Sequence, residues 1–194
     1  MKILVTGAEG FIGKNLCIRL AEQGDYDIIR IDRSSSEEEL RSGVLAADFI
    51  YHLAGVNRPQ DDKEFATGNA GLTQKITAIL SENQKKTPLM LSSSSQATKE
   101  NAYGASKAMA EKAVETYGEA SGASYYLYRF PNVFGKWCRP NYNSFVATFC
   151  HNIINDIPIT INDPSAAVTL VYIDDVCTSL LALLDGSVDS EIGR

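Results

Sequence analysis

The stretch KILVTGAEGFIG, Lys2 to Gly13, joins a short apolar run to three glycines spaced three apart. A continuous apolar run of this length is typical of a strand buried on both faces of a parallel sheet. A glycine turn between such a strand and a helix lets the backbone approach a pyrophosphate, which the first N–H groups of the helix attract. Three glycines alone are weak evidence, but their place in a strand–helix unit predicts dinucleotide binding. The residues predicted to bind it are Gly7, Gly10, Phe11, Ile12 and Gly13.

Strands and helices alternate along the rest of the chain. A second apolar run, Asp27 to Asp32, follows the first helix, so the chain begins with a strand–helix–strand unit whose two strands run parallel. Further strands are predicted near 48–53, 88–92, 124–130 and 168–173. Helices are predicted near 34–40, 61–83, 103–120, 144–155 and 174–184, with a loop over 131–143. This order predicts an α/β fold of the Rossmann type, a doubly wound parallel sheet with helices on both faces.

Composition excludes several classes of protein. The chain has 194 residues, of which 44% are hydrophobic and 22% charged, as in an ordinary globular domain. A net charge of −6 and the lack of any Lys/Arg-rich run argue against a nucleic-acid partner. No apolar run approaches twenty residues and the start lacks signal-peptide character, so we expect a cytoplasmic protein with no membrane partner. Four cysteines without a CxxC pair predict free thiols and no metal.

Asp32 and Arg33, at the end of the second predicted strand, favour different cofactors. An acidic side chain there accepts hydrogen bonds from the ribose diol of NAD, whereas an arginine pairs with the 2′-phosphate of NADP. A third interpretation is a solvated ion pair with no ligand. We expect NADPH, with NADH as the alternative.

Four consecutive serines, Ser92 to Ser95, precede Tyr103 and Lys107. A tyrosine and a lysine four apart share one helix face, so the ammonium can stabilise the phenolate and make the tyrosine usable as an acid or base. A serine hydroxyl at the end of the preceding strand can donate a hydrogen bond to a substrate carbonyl. Tyrosine and lysine at this spacing are common by chance, so order and location along the chain carry the interpretation.

Six motifs stand in the order found in one enzyme family, the extended short-chain dehydrogenases/reductases. They are TGAEGFIG at 6–13, HLAG at 52–55, the serine strand at 92–95, YGASK at 103–107, FPNVFG at 130–135 and YIDDV at 172–176. The chain resembles that family over nearly its whole length. The resemblance implies that Tyr103 is the catalytic acid/base, that Lys107 tunes it and binds the nicotinamide ribose, and that Ser94 binds the substrate carbonyl, with Ser93 still possible. It also implies a substrate contact for Asn132. It places three further residues beside the cofactor: Leu53, Ala54 and Gly55.

Several segments narrow the resemblance to reductases of surface-polysaccharide synthesis. They are GVNRP at 55–59, SSSSQAT at 92–98, GKWCRPNYNS at 135–144 and an interval of only nine residues from Ser94 to Tyr103. This resemblance implies NADPH-dependent reduction of the 4-keto group of a UDP-2-acetamido-2,6-dideoxy-hexos-4-ulose, on the route to L-fucosamine. The diphosphate of the UDP-sugar is expected to meet Arg58, Lys136 and Arg139.

The same resemblance implies a domain plan and an assembly. Residues 1–194 are expected to form an NAD(P)-binding domain with a truncated substrate-binding region. The rest of that region and a zinc-dependent cupin half are expected beyond Arg194. A homodimer is expected through the two long helices.

Two other functions fit the same motifs. An NAD-dependent nucleotide-sugar 4-epimerase uses the same three side chains, and a non-catalytic NAD(P)-sensing protein would keep the fold without turnover. A 4,6-dehydratase is disfavoured, because Gln96 and Ala97 stand where that class carries acidic residues. Turnover separates the enzymes from the binding protein.

Overall fold

The structure, a computed structural model, describes residues 1–57, 61 and 65–186. Its main layer is a parallel sheet of five strands in the order β2-β1-β3-β4-β5. The strands are β1 (Lys2–Thr6), β2 (Asp27–Ile31), β3 (Phe49–His52), β4 (Leu89–Ser94) and β5 (Tyr125–Phe130). The predicted parallel sheet is confirmed, and the segment between β2 and β3 holds a helix and no further strand.

Helices cover both faces of this sheet. These helices are α1 (Phe11–Gln23), α2 (Glu37–Ala46), α3 (Leu72–Glu82), α4 (Ala102–Ser121) and α6 (Ile173–Leu181), whereas α5 (Phe145–Ile154) has no buried residue. A π-helical turn, Ala66–Gly71, leads into α3, and a 3-10 turn, Ser95–Thr98, follows β4. Leu16 and Leu180 of α1 and α6 pack on one face, and Val44, Ile76 and Val114 of α2, α3 and α4 on the other. The fold is therefore doubly wound, as predicted.

Helix α2 begins later and ends later than the predicted helix at 34–40. Ser36 and Glu39 form a reciprocal capping box that starts the helix at Glu37. Ser34 stays outside the helix because its backbone N–H and its hydroxyl both donate to Asp32. The serines ahead of the helix therefore shape the turn after β2.

A second, smaller sheet was not predicted. The segment 132–134, expected to be loop, forms β6 (Asn132–Phe134), which pairs in parallel with β7 (Leu170–Tyr172). The last predicted strand thus joins β6 rather than the main sheet. Pro131 separates β5 from β6, because proline has no N–H to give to a sheet ladder. Strands of three residues are too short for a periodic signal.

The topology creates a crevice beside β1. Its neighbours β2 and β3 lie on opposite sides, so the connections leaving the carboxyl ends of these strands diverge. Ligands of open α/β sheets bind at such a point. Within the described part of the chain, no helix combines the length and apolar character needed to cross a membrane. The same residues contain no cluster of three or more side chains suited to a metal ion, and the four cysteines are free.

Candidate active site

The glycine turn at the end of β1 has room for backbone only. Gly7 adopts a left-handed φ of 68°, and a Cβ there would lie 2.8 Å from the backbone nitrogen of Ala54. A Cβ on Gly13 would lie 2.2 Å from the Gly7 carbonyl oxygen. Gly10 caps α1 without any side-chain hydrogen bond, so the first N–H groups of the helix are not taken by a capping side chain. This cradle fits the pyrophosphate of a dinucleotide.

The predicted cofactor and catalytic residues line one open cleft of about 2070 Å³ at the carboxyl edge of the sheet. Ordinary ligand pockets measure roughly 300–1,000 Å³, so the cleft has room for a dinucleotide and a second ligand. The predicted residues in its lining are Gly7, Gly10, Phe11, Ile12, Gly13, Asp32, Arg33, Leu53, Ala54, Gly55, Ser94, Tyr103, Lys107, Asn132 and Arg139. The structure therefore brings together residues that lie far apart in the sequence.

Asp32 is tied to its own turn at one end of this cleft. One carboxylate oxygen accepts hydrogen bonds from the backbone N–H and the hydroxyl of Ser34, both at 2.7 Å. These bonds hold the pKa of Asp32 below its usual value. Arg33 is exposed at the same edge of the cleft. The arginine is thus the more available of the two side chains for a ligand.

The end of β4 separates Ser93 from Ser94. Successive side chains of a strand point to opposite faces. The Ser93 hydroxyl donates to the buried Glu111, away from Tyr103. The Ser94 hydroxyl accepts a hydrogen bond of 3.1 Å from the backbone N–H of Gln96, and Ser94 acts to lower the pKa of Tyr103. The geometry favours Ser94 as the carbonyl-binding serine.

Tyr103, in the first turn of α4, faces the cleft. Its hydroxyl donates to Oδ1 of Asn57 at 3.1 Å, and its ring lies against Phe65, with centroids 5.4 Å apart. Burial raises the pKa of Tyr103, and the hydrogen bond with Ser94 works in the opposite direction. The phenol is therefore kept protonated, as the acid in a carbonyl reduction must be.

Lys107 lies one helical turn from Tyr103 and is only 5% exposed. Its Nζ donates to the carbonyl oxygen of Ser92 at 3.0 Å and lies 6.0 Å from the centre of the Tyr103 ring. Burial lowers the pKa of Lys107 to about 8. A Cβ on Gly55, in the loop after β3, would lie 3.1 Å from this Nζ. The lack of a side chain at Gly55 therefore leaves the lysine room to reach the cleft.

A buried chain of hydrogen bonds supports the loop after β3. Thr73 donates to the carbonyl oxygen of Asn69, so its oxygen accepts from Nε2 of His52 at 2.9 Å. Nδ1 of His52 then accepts from the Thr6 hydroxyl at 2.6 Å, and Thr6 accepts from the backbone N–H of Ala54. Every donor in this chain meets an acceptor when the imidazole is neutral with its proton on Nε2. Burial, followed by the nearby lysine charge, lowers the pKa of His52 to about 3.

Asn69 connects that chain to the catalytic helix. Its amide accepts from the Val56 N–H at 2.8 Å and donates to the Val56 carbonyl at 3.1 Å and to the Ser106 hydroxyl at 3.0 Å. We did not predict this role. The available signal is a polar residue four positions after Phe65 and seven before Ile76, within the apolar stripe of the predicted helix.

A protein-family model for the NAD dependent epimerase/dehydratase family matches residues 3–193. The chain belongs to this family. The predicted relationship to the extended dehydrogenases/reductases is thereby confirmed, and the description of the family names the class of cofactor that the glycine cradle fits.

Two known proteins are similar to this chain over its whole length. The UDP-2-acetamido-2,6-beta-L-arabino-hexul-4-ose reductase of Pseudomonas aeruginosa is 50% identical over 192 residues, which cover 99% of this chain and 52% of the reductase. The crystal structure of the capsular polysaccharide assembling protein CapF from Staphylococcus aureus has a TM-score of 0.88 and 47% identity, covering 100% of this chain and 52% of CapF. The chain therefore spans about half the length of each relative.

A solved structure of lower sequence identity shows the same fold. The structure of UDP-glucuronic acid 4-epimerase from Bacillus cereus in complex with NAD has a TM-score of 0.84 at 22% identity, over 95% of this chain and 74% of the epimerase. At that identity the likeness concerns the fold alone.

The residues predicted to bind substrate in this family member fall into three groups. Asn132 and Arg139 line the cleft, and the Arg139 guanidinium lies 5.9 Å from the ring centre of Tyr142. Lys136 does not line it, so its predicted contact with a diphosphate is not supported by its position. Arg58 lies outside the described residues.

The position of Lys136 follows from the path of its loop. Gly135 has φ 137° and Trp137 has φ 66°, and the Cys138 N–H donates to the Gly135 carbonyl at 3.1 Å, so Lys136 lies in a tight turn. Its carbonyl oxygen accepts from Asn15 of α1 at 3.2 Å, and its Nζ lies over the Trp137 ring, 5.5 Å from the centre. Trp137, rather than Lys136, is directed to the cleft.

Proposed function

We propose that this chain carries the cofactor site and the proton-transfer residues of an NADPH-dependent reductase that acts on the 4-keto group of a UDP-2-acetamido-2,6-dideoxy-hexos-4-ulose in surface-polysaccharide synthesis. The observation that carries the proposal is the meeting of Ser94, Tyr103 and Lys107 beside the glycine cradle in one cleft. The name of the Pseudomonas aeruginosa relative supports the substrate class.

Each residue of this set has a defined task in the proposed reaction. A bound reduced nicotinamide supplies the hydride for the keto carbon. Ser94 donates a hydrogen bond to the keto oxygen, and Tyr103 gives its proton to the same oxygen as negative charge develops there. The charge of Lys107 stabilises the phenolate that remains after proton transfer. The protonated state favoured by the buried position of Tyr103 suits this direction of reaction.

NADPH is proposed over NADH because of the turn after β2. The carboxylate of Asp32 already accepts two hydrogen bonds from Ser34, whereas Arg33 is exposed at the cleft edge. An arginine at this edge can pair with a 2′-phosphate through charge-assisted hydrogen bonds. The availability of the arginine supports the phosphorylated cofactor.

The test is NADPH oxidation by the purified protein against a panel of UDP-4-keto sugars, with Tyr103→Phe as the paired variant. We expect the wild type to reduce the 2-acetamido-2,6-dideoxy member best. Tyr103→Phe should lower turnover by about 10²- to 10⁴-fold, because the acid is lost, with NADPH affinity kept within a few-fold. Unchanged turnover in Tyr103→Phe would contradict the mechanism.

Competing functions give other outcomes in the same assay. A 4-epimerase would interconvert UDP-sugars with a retained NAD and no net oxidation of added NADPH. A binding protein would take up cofactor and turn over no sugar. Sedimentation of the same sample tests the homodimer, and cell fractionation tests the cytoplasmic location; both remain predictions.

A further inference from the structure

The proposed reaction leaves one buried carboxylate without a task. Glu111 follows Lys107 by one turn of α4, and the two residues are 4% and 5% exposed. Residues four apart share a helix face, so both side chains turn toward the sheet. Burying an ionised group costs free energy unless its charge and its hydrogen-bonding atoms are satisfied. The surroundings of Glu111 therefore call for an explanation.

Both oxygens of Glu111 accept hydrogen bonds. Oε1 accepts from the Ser93 hydroxyl and from Nε of Arg129 at 2.9 Å, and Oε2 accepts from Nη2 of Arg129 at 2.6 Å. Burial alone would raise the pKa of Glu111, but the hydrogen bonds from Arg129 and Ser93 outweigh burial and hold the pKa below its usual value. Glu111 is thus a fixed negative charge on the buried face of α4.

The charge of Glu111 affects the pKa of Lys107. Burial lowers the pKa of Lys107 to about 8, and the negative charge of Glu111 opposes this effect. Two other groups lie near the lysine, the Tyr103 ring on the same helix and the neutral His52 on β3. Arg129 on β5 forms a two-bond ion pair with Glu111. Among these groups Glu111 carries the negative charge, and that charge favours a protonated lysine.

The strand β4 links this pair to the cleft. Two consecutive residues hold the two members of this pair: the Ser92 carbonyl accepts from Lys107, and the Ser93 hydroxyl donates to Glu111. The next residue, Ser94, lines the cleft. A shift of the carboxylate would therefore act on the lysine both through charge and through the strand end that anchors its Nζ.

We propose that Glu111, held by Arg129 and Ser93, is a positioning residue that keeps Lys107 protonated and directed at the dinucleotide cleft near neutral pH. The link to turnover rests on the proposed reductase function. The effect on the lysine does not, because it depends only on side chains of this chain. Removing the carboxylate also leaves Arg129 as an uncompensated cation, so both changes favour loss of the lysine proton.

The test is a titration of the Lys107 side chain by NMR in protein labelled at lysine Cε, with Lys107→Arg to assign the signal. In Glu111→Gln we expect the titration midpoint of Lys107 to fall by about one pH unit or more. Arg129→Gln separates charge from structure, because it breaks the same ion pair but removes a cation, so the midpoint should stay or rise. Glu119→Gln, an exposed acid on the same helix, is the matched control and should leave the midpoint unchanged.

Two results would overturn the proposal: an unchanged midpoint in Glu111→Gln, or an equal fall in Arg129→Gln. If Glu111→Gln does not fold, Glu111→Asp replaces it; a smaller fall then supports the proposal, and no fall overturns it. Where the wild type reduces the keto sugar, the alkaline loss of kcat should move to lower pH in Glu111→Gln by the same amount. If the wild type turns nothing over, the reductase proposal fails while the titration still decides the role of Glu111.

Discussion

The two sides of the cleft are built in different ways. The cofactor side, formed by the carboxyl ends of β1, β3 and β4 and by α4, is fixed by buried hydrogen bonds such as those of His52 and Asn69. The substrate side, residues 131–172, contains a helix, α5, with no buried residue, and Ile154 on it is 81% exposed. The side chains predicted to contact the dinucleotide are thus held in place by the buried core. The predicted substrate contacts come from residues 131–172, which are less buried.

The glycine cradle offers the strongest test of this contrast. In Gly13→Ala the new Cβ meets the Gly7 carbonyl at 2.2 Å, so the turn must open. Displacing two N–H donors from a pyrophosphate costs about 3 kcal/mol, and NADPH should bind about 100-fold more weakly by fluorescence titration. The control Gly71→Ala adds a Cβ at 3.6 Å from its nearest neighbour in helical backbone and should keep the affinity. Equal affinities in the two variants would refute the tight cradle.

The buried histidine on the cofactor side predicts a pH dependence of stability. His52 stays neutral in the fold with a pKa near 3, whereas an unfolded histidine binds a proton below about pH 6.5. The unfolded state thus binds more protons than the folded state from about pH 6.5 down to 3. The contribution of His52 to the free energy of unfolding is therefore complete above about pH 6.5 and is lost as the pH falls. Its loss amounts to about 1.4 kcal/mol per pH unit.

The measurement is urea unfolding at pH 7.5 and at pH 5, for the wild type and for His52→Gln. The wild type should lose about 2 kcal/mol of unfolding free energy to this residue by pH 5. The variant should be less stable at pH 7.5 but lose less on acidification, because glutamine does not titrate. An identical pH dependence would mean that the imidazole is not held neutral.

Arg33 tests the outer edge of the cofactor side. In Arg33→Ala the proposed pairing with a 2′-phosphate is lost, so NADPH should bind about 10- to 100-fold more weakly while NADH is little affected. Lys14→Ala is a matched removal of an exposed charge near the same cleft and should change the two affinities alike. Equal losses for NADH and NADPH in Arg33→Ala would argue against the phosphate contact.

The smallest effect is expected on the substrate side. Ile154→Ala should change the unfolding free energy by less than about 0.5 kcal/mol, because the side chain is largely exposed. The same truncation at Ile76, which is fully buried in α3, should cost about 2–5 kcal/mol. Similar costs at the two sites, measured by denaturant titration, would erase the distinction between the two sides.

Sequence reasoning succeeded where local pattern dictates structure. The apolar run before Gly7 forms β1, and the spacing of Tyr103 and Lys107 sets them on one face because a helix turn is nearly four residues long. Family motifs with an intrinsic conformational preference could therefore be assigned from the sequence alone.

Local sequence patterns do not decide the outcome where tertiary contacts choose between equivalent options. Adjacent serines 93 and 94 are chemically alike, and only the face of the strand separates them. Lys136 was expected in the cleft, but it lies in a turn with left-handed backbone at Trp137, and Trp137 lines the cleft instead. The hydrogen bonds of Asn69 to Val56 and Ser106 start from a π-helical turn, which has no reliable pattern in a single sequence.

The serine run of β4 also bears on how the strand is aligned in register. A slip by one residue moves every side chain to the opposite face. Here a slip would put one serine where another had been, and the preceding residues, Leu89 to Leu91, are apolar on both faces. Side-chain chemistry therefore discriminates poorly between neighbouring registers, and the choice falls to the backbone ladders with β3 and β5 and to the lengths of the connecting segments.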